Sequence, residues 1–273
     1  MDTQRPGRQE ANVAGHPKPP ESAARQSARK AAKTLKLITK LLAKAGNTPF
    51  PAEAQAFQEH AERLMVRYGI EQAVVDAEAG KEGRPQESMV EHRMEFAGQY
   101  RVGQARGFSA IAVAMRTVSV LQATTSSKKL LYLIGAESDV QQILRLFASL
   151  RLQMETAMTT WWLGYAFKDY LSTHERTLER RQFQLGFLST VAARIEQIYS
   201  AEVDSATPGS GLVLIDRRER AEQHARTLHP DVRRARGHLL ATGSRSAHLA
   251  GSSAGSLATV NGQVDASSRR SLS

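Results

Sequence analysis

Seven cations, Arg25, Arg29, Lys30, Lys33, Lys36, Lys40 and Lys44, recur mostly three and four residues apart. On a helix that spacing gathers side chains along one face. The run therefore predicts a positive stripe, which could neutralise phosphates without reading sequence. A second cluster holds Arg217, Arg218 and Arg220, followed by Arg233, Arg234 and Arg236. No aromatic residues interleave with either cluster, so base stacking is not expected. The alternative for both is an ordinary solvated helix face. Arg25, Arg29, Lys30, Lys33, Lys36, Lys40, Arg217, Arg218, Arg233 and Arg234 are the candidate nucleic-acid contacts.

Other chemistry finds less support. The eight histidines contain no H-E-x-x-H and no pair at four-residue helical spacing. His224 and His229 are five apart, on different faces of a helix. Glu137 and Asp139 follow an apolar run and open a helical pattern, where acidic residues meet the positive end of the helix dipole. Together with His174 they are the alternative site, that of a metal-dependent hydrolase. The chain has no cysteine, which removes disulfides, thiolate metal sites and a cysteine nucleophile. Neither G-x-S-x-G nor a glycine-rich phosphate loop is present. No catalytic residue, cofactor or metal is assigned.

Charge is distributed unevenly along the chain. Asp2 to Lys36 holds eight basic and three acidic residues; Asp216 to Ser273 holds ten and five. Leu37 to Ile215 holds 19 of each. The whole net charge of +10 therefore lies in the flanks. Basic arms on a neutral body are a common footprint for a polyanion partner. No apolar run approaches the roughly 20 residues that span a bilayer. The N-terminal stretch has no apolar signal core. A cytoplasmic protein without membrane contact is expected.

The elements that must position these groups read as follows. Residues 1–27 are expected to be a disordered basic arm, given Pro6, Pro17, Pro19 and Pro20 with few apolar side chains. Residues 28–76 read as a helical hairpin. Leu35, Ile38, Leu42 and Ala45 mark its first apolar face, and Gly46 with Asn47 the stop. Pro49 and Pro51 shape the turn, and Pro51 with Glu53 suits a second helix start. Ala54, Phe57, Ala61, Leu64 and Met65 form the second stripe. Gly69 followed by Ile70 predicts a glycine cap. Such a hairpin buries too little surface alone and must dock elsewhere.

Residues 77–88 read as a linker. Residues 89–228 read as an α+β domain with a small, mainly antiparallel sheet. Its elements are a strand at 89–96, a helix at 102–115, strands at 118–123 and 130–134, and two long helices. Ser138 and Gln141 suit a capping box on the first long helix. Phe183, Phe187, Val191, Ile195 and Ile198 mark the face of the second, over 175–203. Trp161 and Trp162 look exposed enough to anchor a partner. Leu212–Ile215 reads as a strand or an anchor before a basic helix from Asp216. Residues 229–273 are expected to be a flexible Gly/Ser-rich tail, with a helix at 233–240.

Two segments resemble known families. Leu37-Ile38-Thr39-Lys40-Leu41-Leu42-Ala43-Lys44-Ala45, Thr48-Pro49-Phe50-Pro51-Ala52-Glu53-Ala54 and Ala61-Glu62-Arg63-Leu64-Met65-Val66-Arg67-Tyr68-Gly69-Ile70 carry the first. About residues 34–72 resemble the bacterial and phage domain of unknown function two-seven-eight-six. Leu133-Ile134-Gly135-Ala136-Glu137-Ser138-Asp139-Val140, Arg181-Gln182-Phe183-Gln184-Leu185-Gly186-Phe187 and Leu212-Val213-Leu214-Ile215-Asp216-Arg217 carry the second. About residues 89–255 resemble the companion domain seven-one-six-eight, with Gly251 and Gly255 like that family's closing helix. The resemblance implies a fold and supplies no reaction. The leading expectation is a non-enzymatic accessory protein that contacts nucleic acid through its basic flanks. The alternatives are a scaffold that binds itself or another protein, and the hydrolase.

Overall fold

A computed structural model of the chain describes residues 23–206, 209–232 and 244–260. The first two helices, α1 (Ala23–Asn47) and α2 (Pro51–Lys81), form the expected antiparallel pair. Pro51 opens α2, and the Thr48 hydroxyl donates to Glu53 at 2.6 Å, fixing the turn. Ile38 and Leu42 pack on Ala61, with Leu41, Leu64 and Met65 beside them.

The glycine cap is not formed. α2 runs through Gly69 and ends only at Lys81. Val66, Ile70 and Ala73 are buried in the main core, so tertiary packing carries the helix past its weak residue. Residues 77–81 of the expected linker are therefore helical, and 82–88 form the connection.

The body is α+β, with a three-stranded antiparallel sheet. β1 (Met89–Ala97), β2 (Ser119–Thr124) and β3 (Lys128–Ala136) are ordered β1-β3-β2. Met89 pairs with Ala136 and Ser119 with Ile134. Strand side chains alternate faces. Leu131 and Leu133 thus enter one core with Phe108, Ile143 and Phe147. Tyr132, on the other face, meets the His229 ring at 5.1 Å. The helices are α3 (Arg101–Ala114), α4 (Glu137–Gly164), α5 (Thr173–Ser205), α6 (Ser210–Leu228) and α7 (Arg245–Ser256).

Four local expectations change. Ser138 does not cap α4; its N–H donates to Glu87 Oε1 at 2.5 Å, so a distant carboxylate satisfies that helix start. The true capping box is Ser172 with Glu175, on α5. Residues 212–215 are the first turns of α6, begun by Gly209 at φ 93°. Trp161 stacks on Phe183 and Trp162 lies beneath the Arg180 guanidinium, so both are half-buried within their own chain.

The expected flexible tail contains a packed helix. A Cβ on Gly251 would lie 1.9 Å from the Phe183 carbonyl oxygen, and one on Gly255 2.6 Å from that of Phe187. Glycine's small size lets α7 touch the α5 backbone, from which Gly186 meets it in turn. Arg194 of α5 donates to the carbonyls of Gly255 and Ala258 at 3.0 and 2.7 Å. Only 233–243 and 261–273 of that tail lie outside the described residues, and the expected helix at 233–240 with them. Residues 1–22 of the arm lie outside them too.

Gly251→Ala should destabilise the protein by about 1–3 kcal/mol, as overpacking does. Urea unfolding measures this. An unchanged midpoint would show that α7 does not sit this close to α5.

Candidate functional site

Arg217, expected as a surface phosphate contact, is instead one of the most buried side chains, at 2% exposure. Its Nε donates to Asp139 Oδ2 at 2.6 Å, its Nη1 to Asp76 Oδ2 at 3.0 Å and its Nη2 to Glu87 Oε2 at 2.8 Å. Nη2 also donates to the Ser138 hydroxyl at 3.1 Å. Arg220, one turn on, donates to Asp76 and to the Glu87 carbonyl. The planar fork of arginine suits such a multi-carboxylate grip. Two guanidiniums thus face three carboxylates, which leaves one negative charge in excess. Burial pushes the Asp139 carboxyl above its ordinary value against the pull of Arg217, and Glu87 and Asp76 push it the same way. Burial works to lower Arg217, but Asp139 and Glu87 together outweigh it, so the guanidinium lies above its ordinary value and stays charged.

This cage also answers the hydrolase reading. Asp139 is consumed by Arg217, while Glu137 and His174 are exposed at the starts of α4 and α5. Among the described residues no group of three or more His, Asp or Glu could hold a metal ion.

The remaining candidates separate by location. Arg218 is exposed and pairs with Glu222 at 3.0 Å within α6. Arg233 and Arg234, with Arg236, lie outside the described residues. Arg25, Arg29, Lys30, Lys33, Lys36 and Lys40 all lie on α1, which carries seven basic residues and no acidic one. At about 100° per residue, 29, 33, 36, 40 and 44 fall on one stripe opposite Ile38 and Leu42. Arg29, Lys33, Lys36, Lys40 and Lys44 are exposed. Lys33, Lys36 and Lys40 have no acidic partner among the described residues. Lys44 lies over the Phe57 ring, 5.4 Å from its centroid. The structure therefore brings Arg29, Lys33, Lys36 and Lys40 to one stripe and removes Arg217 from the surface set. Sequence reasoning missed the Arg217 cage, because its carboxylates come from 78 to 141 positions away.

Arg217→Met should cost about 3–5 kcal/mol, since it strands buried carboxylates. Arg218→Ala should stay within about 0.5 kcal/mol, as exposed substitutions do. Asp139 also makes a pH prediction. A carboxyl raised in the folded state binds more protons there than when unfolded, so stability falls as pH rises through that window. The window opens at the ordinary aspartate value, about 3.9, and ends at the raised one. Asp139→Asn should flatten the slope of unfolding free energy against pH above about 4. Urea titrations across pH measure all three effects, and equal costs for the two arginine variants would contradict the cage.

Residues 33–72 match the model of a family described as "Protein of unknown function (DUF2786)". No curated protein and no solved structure matches the chain. The match spans α1 from Lys33 and the first two-thirds of α2, which is the segment that presents the stripe.

Proposed function

We propose that the protein is a non-enzymatic cytoplasmic accessory factor that contacts nucleic-acid backbone through α1. The single observation that carries this reading is the charge of α1: seven cations and no anion on the helix, with Lys33, Lys36 and Lys40 exposed without acidic partners among the described residues. Arg29 to Lys44 covers about 22 Å of helix at 1.5 Å per residue, enough to follow several phosphates. The contact is sequence-independent, because nothing on the stripe reads base edges. Arg25, Lys30, Arg233 and Arg234 belong to the same proposal on sequence grounds. So does the division of the chain into a hairpin unit and a body that resembles the domain seven-one-six-eight.

A second reading, self-association, is favoured by Leu163, Phe167 and Tyr170, which are 70%, 63% and 87% exposed around the end of α4. Light scattering that finds a monomer at high concentration removes it.

Lys33→Glu/Lys36→Glu/Lys40→Glu should abolish binding of a random duplex in a gel-shift series. The wild type should bind with an affinity falling steeply with salt. Reversing only one lysine should lower the logarithmic salt slope by about 1. Salt-independent binding, or binding unchanged in the triple variant, defeats the reading.

A further inference from the structure

A cavity of about 320 Å³ lies between α1, α2, α4 and α5. That volume is at the lower end for small-molecule sites. Ile38, Met65, Leu146 and Ile198 supply apolar wall, and Tyr199 and Gln142 supply polar atoms. Leu35 also lines it and is 49% exposed, so the cavity reaches the surface beneath α1.

Tyr199 distinguishes this space from a packing defect. The residue is 3% exposed, its hydroxyl borders the cavity, and no hydrogen bond to that hydroxyl forms among the described residues. Gly69 adds an independent sign. A Cβ there would meet only Gln142 Oε1 at 3.6 Å and Tyr199 Oη at 4.0 Å, which is ordinary contact. Alanine would fit, and mid-helix it would be worth about 0.5–1 kcal/mol. Glycine instead keeps the helix surface open where the two polar groups converge.

The charges on the wall define what can enter. Glu62 and Asp139 both line the cavity, and each is already engaged by a guanidinium: Glu62 by Arg194 at 3.0 Å, Asp139 by the Arg217 that it shares with Asp76 and Glu87. An anion would face two carboxylates, while the exposed Arg145 offers its charge only where water screens it. Burial and the neighbouring Asp139 push the Tyr199 hydroxyl far above its ordinary value, so it stays a donor at any working pH.

We propose that this cavity is a binding site for a small, neutral, mainly apolar molecule bearing a carbonyl or amide whose oxygen accepts from the Tyr199 hydroxyl, with the Gln142 carboxamide as its second polar partner. The proposal is independent of nucleic-acid contact.

Benzamide and benzoate are near-isosteres that differ in charge, and they are the probes. Backbone amide NMR shifts on the full chain report binding. Benzamide should shift the Gly69, Gln142 and Tyr199 amides saturably, with a dissociation constant on the order of 1 mM for so few atoms. Benzoate should bind about tenfold more weakly. Tyr199→Phe should fold as well as wild type, because the lost hydroxyl has no partner, and should weaken benzamide about five- to tenfold. Gly69→Leu, which fills the cavity from α2, should abolish the shifts. No saturable shift at these amides overturns the proposal. So does benzamide binding that Tyr199→Phe leaves unchanged, and benzoate binding as well as benzamide would make the site an anion site.

Discussion

The Arg217 guanidinium ties the fold together. Its three carboxylates come from α2, from the connection before β1 and from the start of α4, while the guanidinium itself comes from α6. Four pieces of chain must arrive together for the charge to be tolerable. A buried pair of this kind is weak evidence for net stability but strong evidence for specificity of arrangement, because a partner out of place leaves a naked charge. The position of α2 relative to the sheet is fixed here, and the hairpin is thereby fixed to the body. A second pair, half-buried Arg194 with buried Glu62, ties α2 to α5 and, through Val260, to the segment after α7. Burial raises the Glu62 carboxyl, and Arg194 pulls against it.

Elements whose signals are local were legible in the sequence. Pro49 and Pro51 make the hairpin turn through their own ring geometry, with no help from afar. β2 and β3 follow from β-rich runs flanking a polar loop, and α5 from the spacing of its apolar face. Signals that depend on a distant partner were misread. Gly69-Ile70 satisfies the local rule for a cap, yet Ile70 finds its partners in the main core and the helix continues. Ser138-x-x-Gln141 has the right types for a capping box, but Glu87 arrives first.

The tail was misread for a related reason. Gly and Ser composition suggests flexibility, and on an isolated chain it would give it. Gly251 and Gly255 lie four apart, so they share one helix face. That spacing was the available signal for close packing, and only the facing backbone of α5 decides between the two meanings. The same limit applied to the candidate site. Arg217 and Lys40 are equally basic in the sequence, yet one is consumed by carboxylates and the other faces water.

The segregation of charge then acquires a physical sense. Residues 48–215 hold 17 basic and 19 acidic side chains, and several of the buried ions there sit in pairs or cages. Their field beyond short range is therefore small. α1 itself has no acidic residue, and Lys33, Lys36 and Lys40 have no acidic partner among the described residues. Arg29 and Lys33, Lys36 and Lys40, and Lys40 and Lys44 are like charges four residues apart, and each such pair opposes the helix by about 0.2–0.5 kcal/mol. The helix is held against this by a small apolar seat around Ile38, Leu42 and Ala61. A polyanion laid along the stripe would remove that repulsion as it binds. Part of its binding free energy would then appear as added stability of α1.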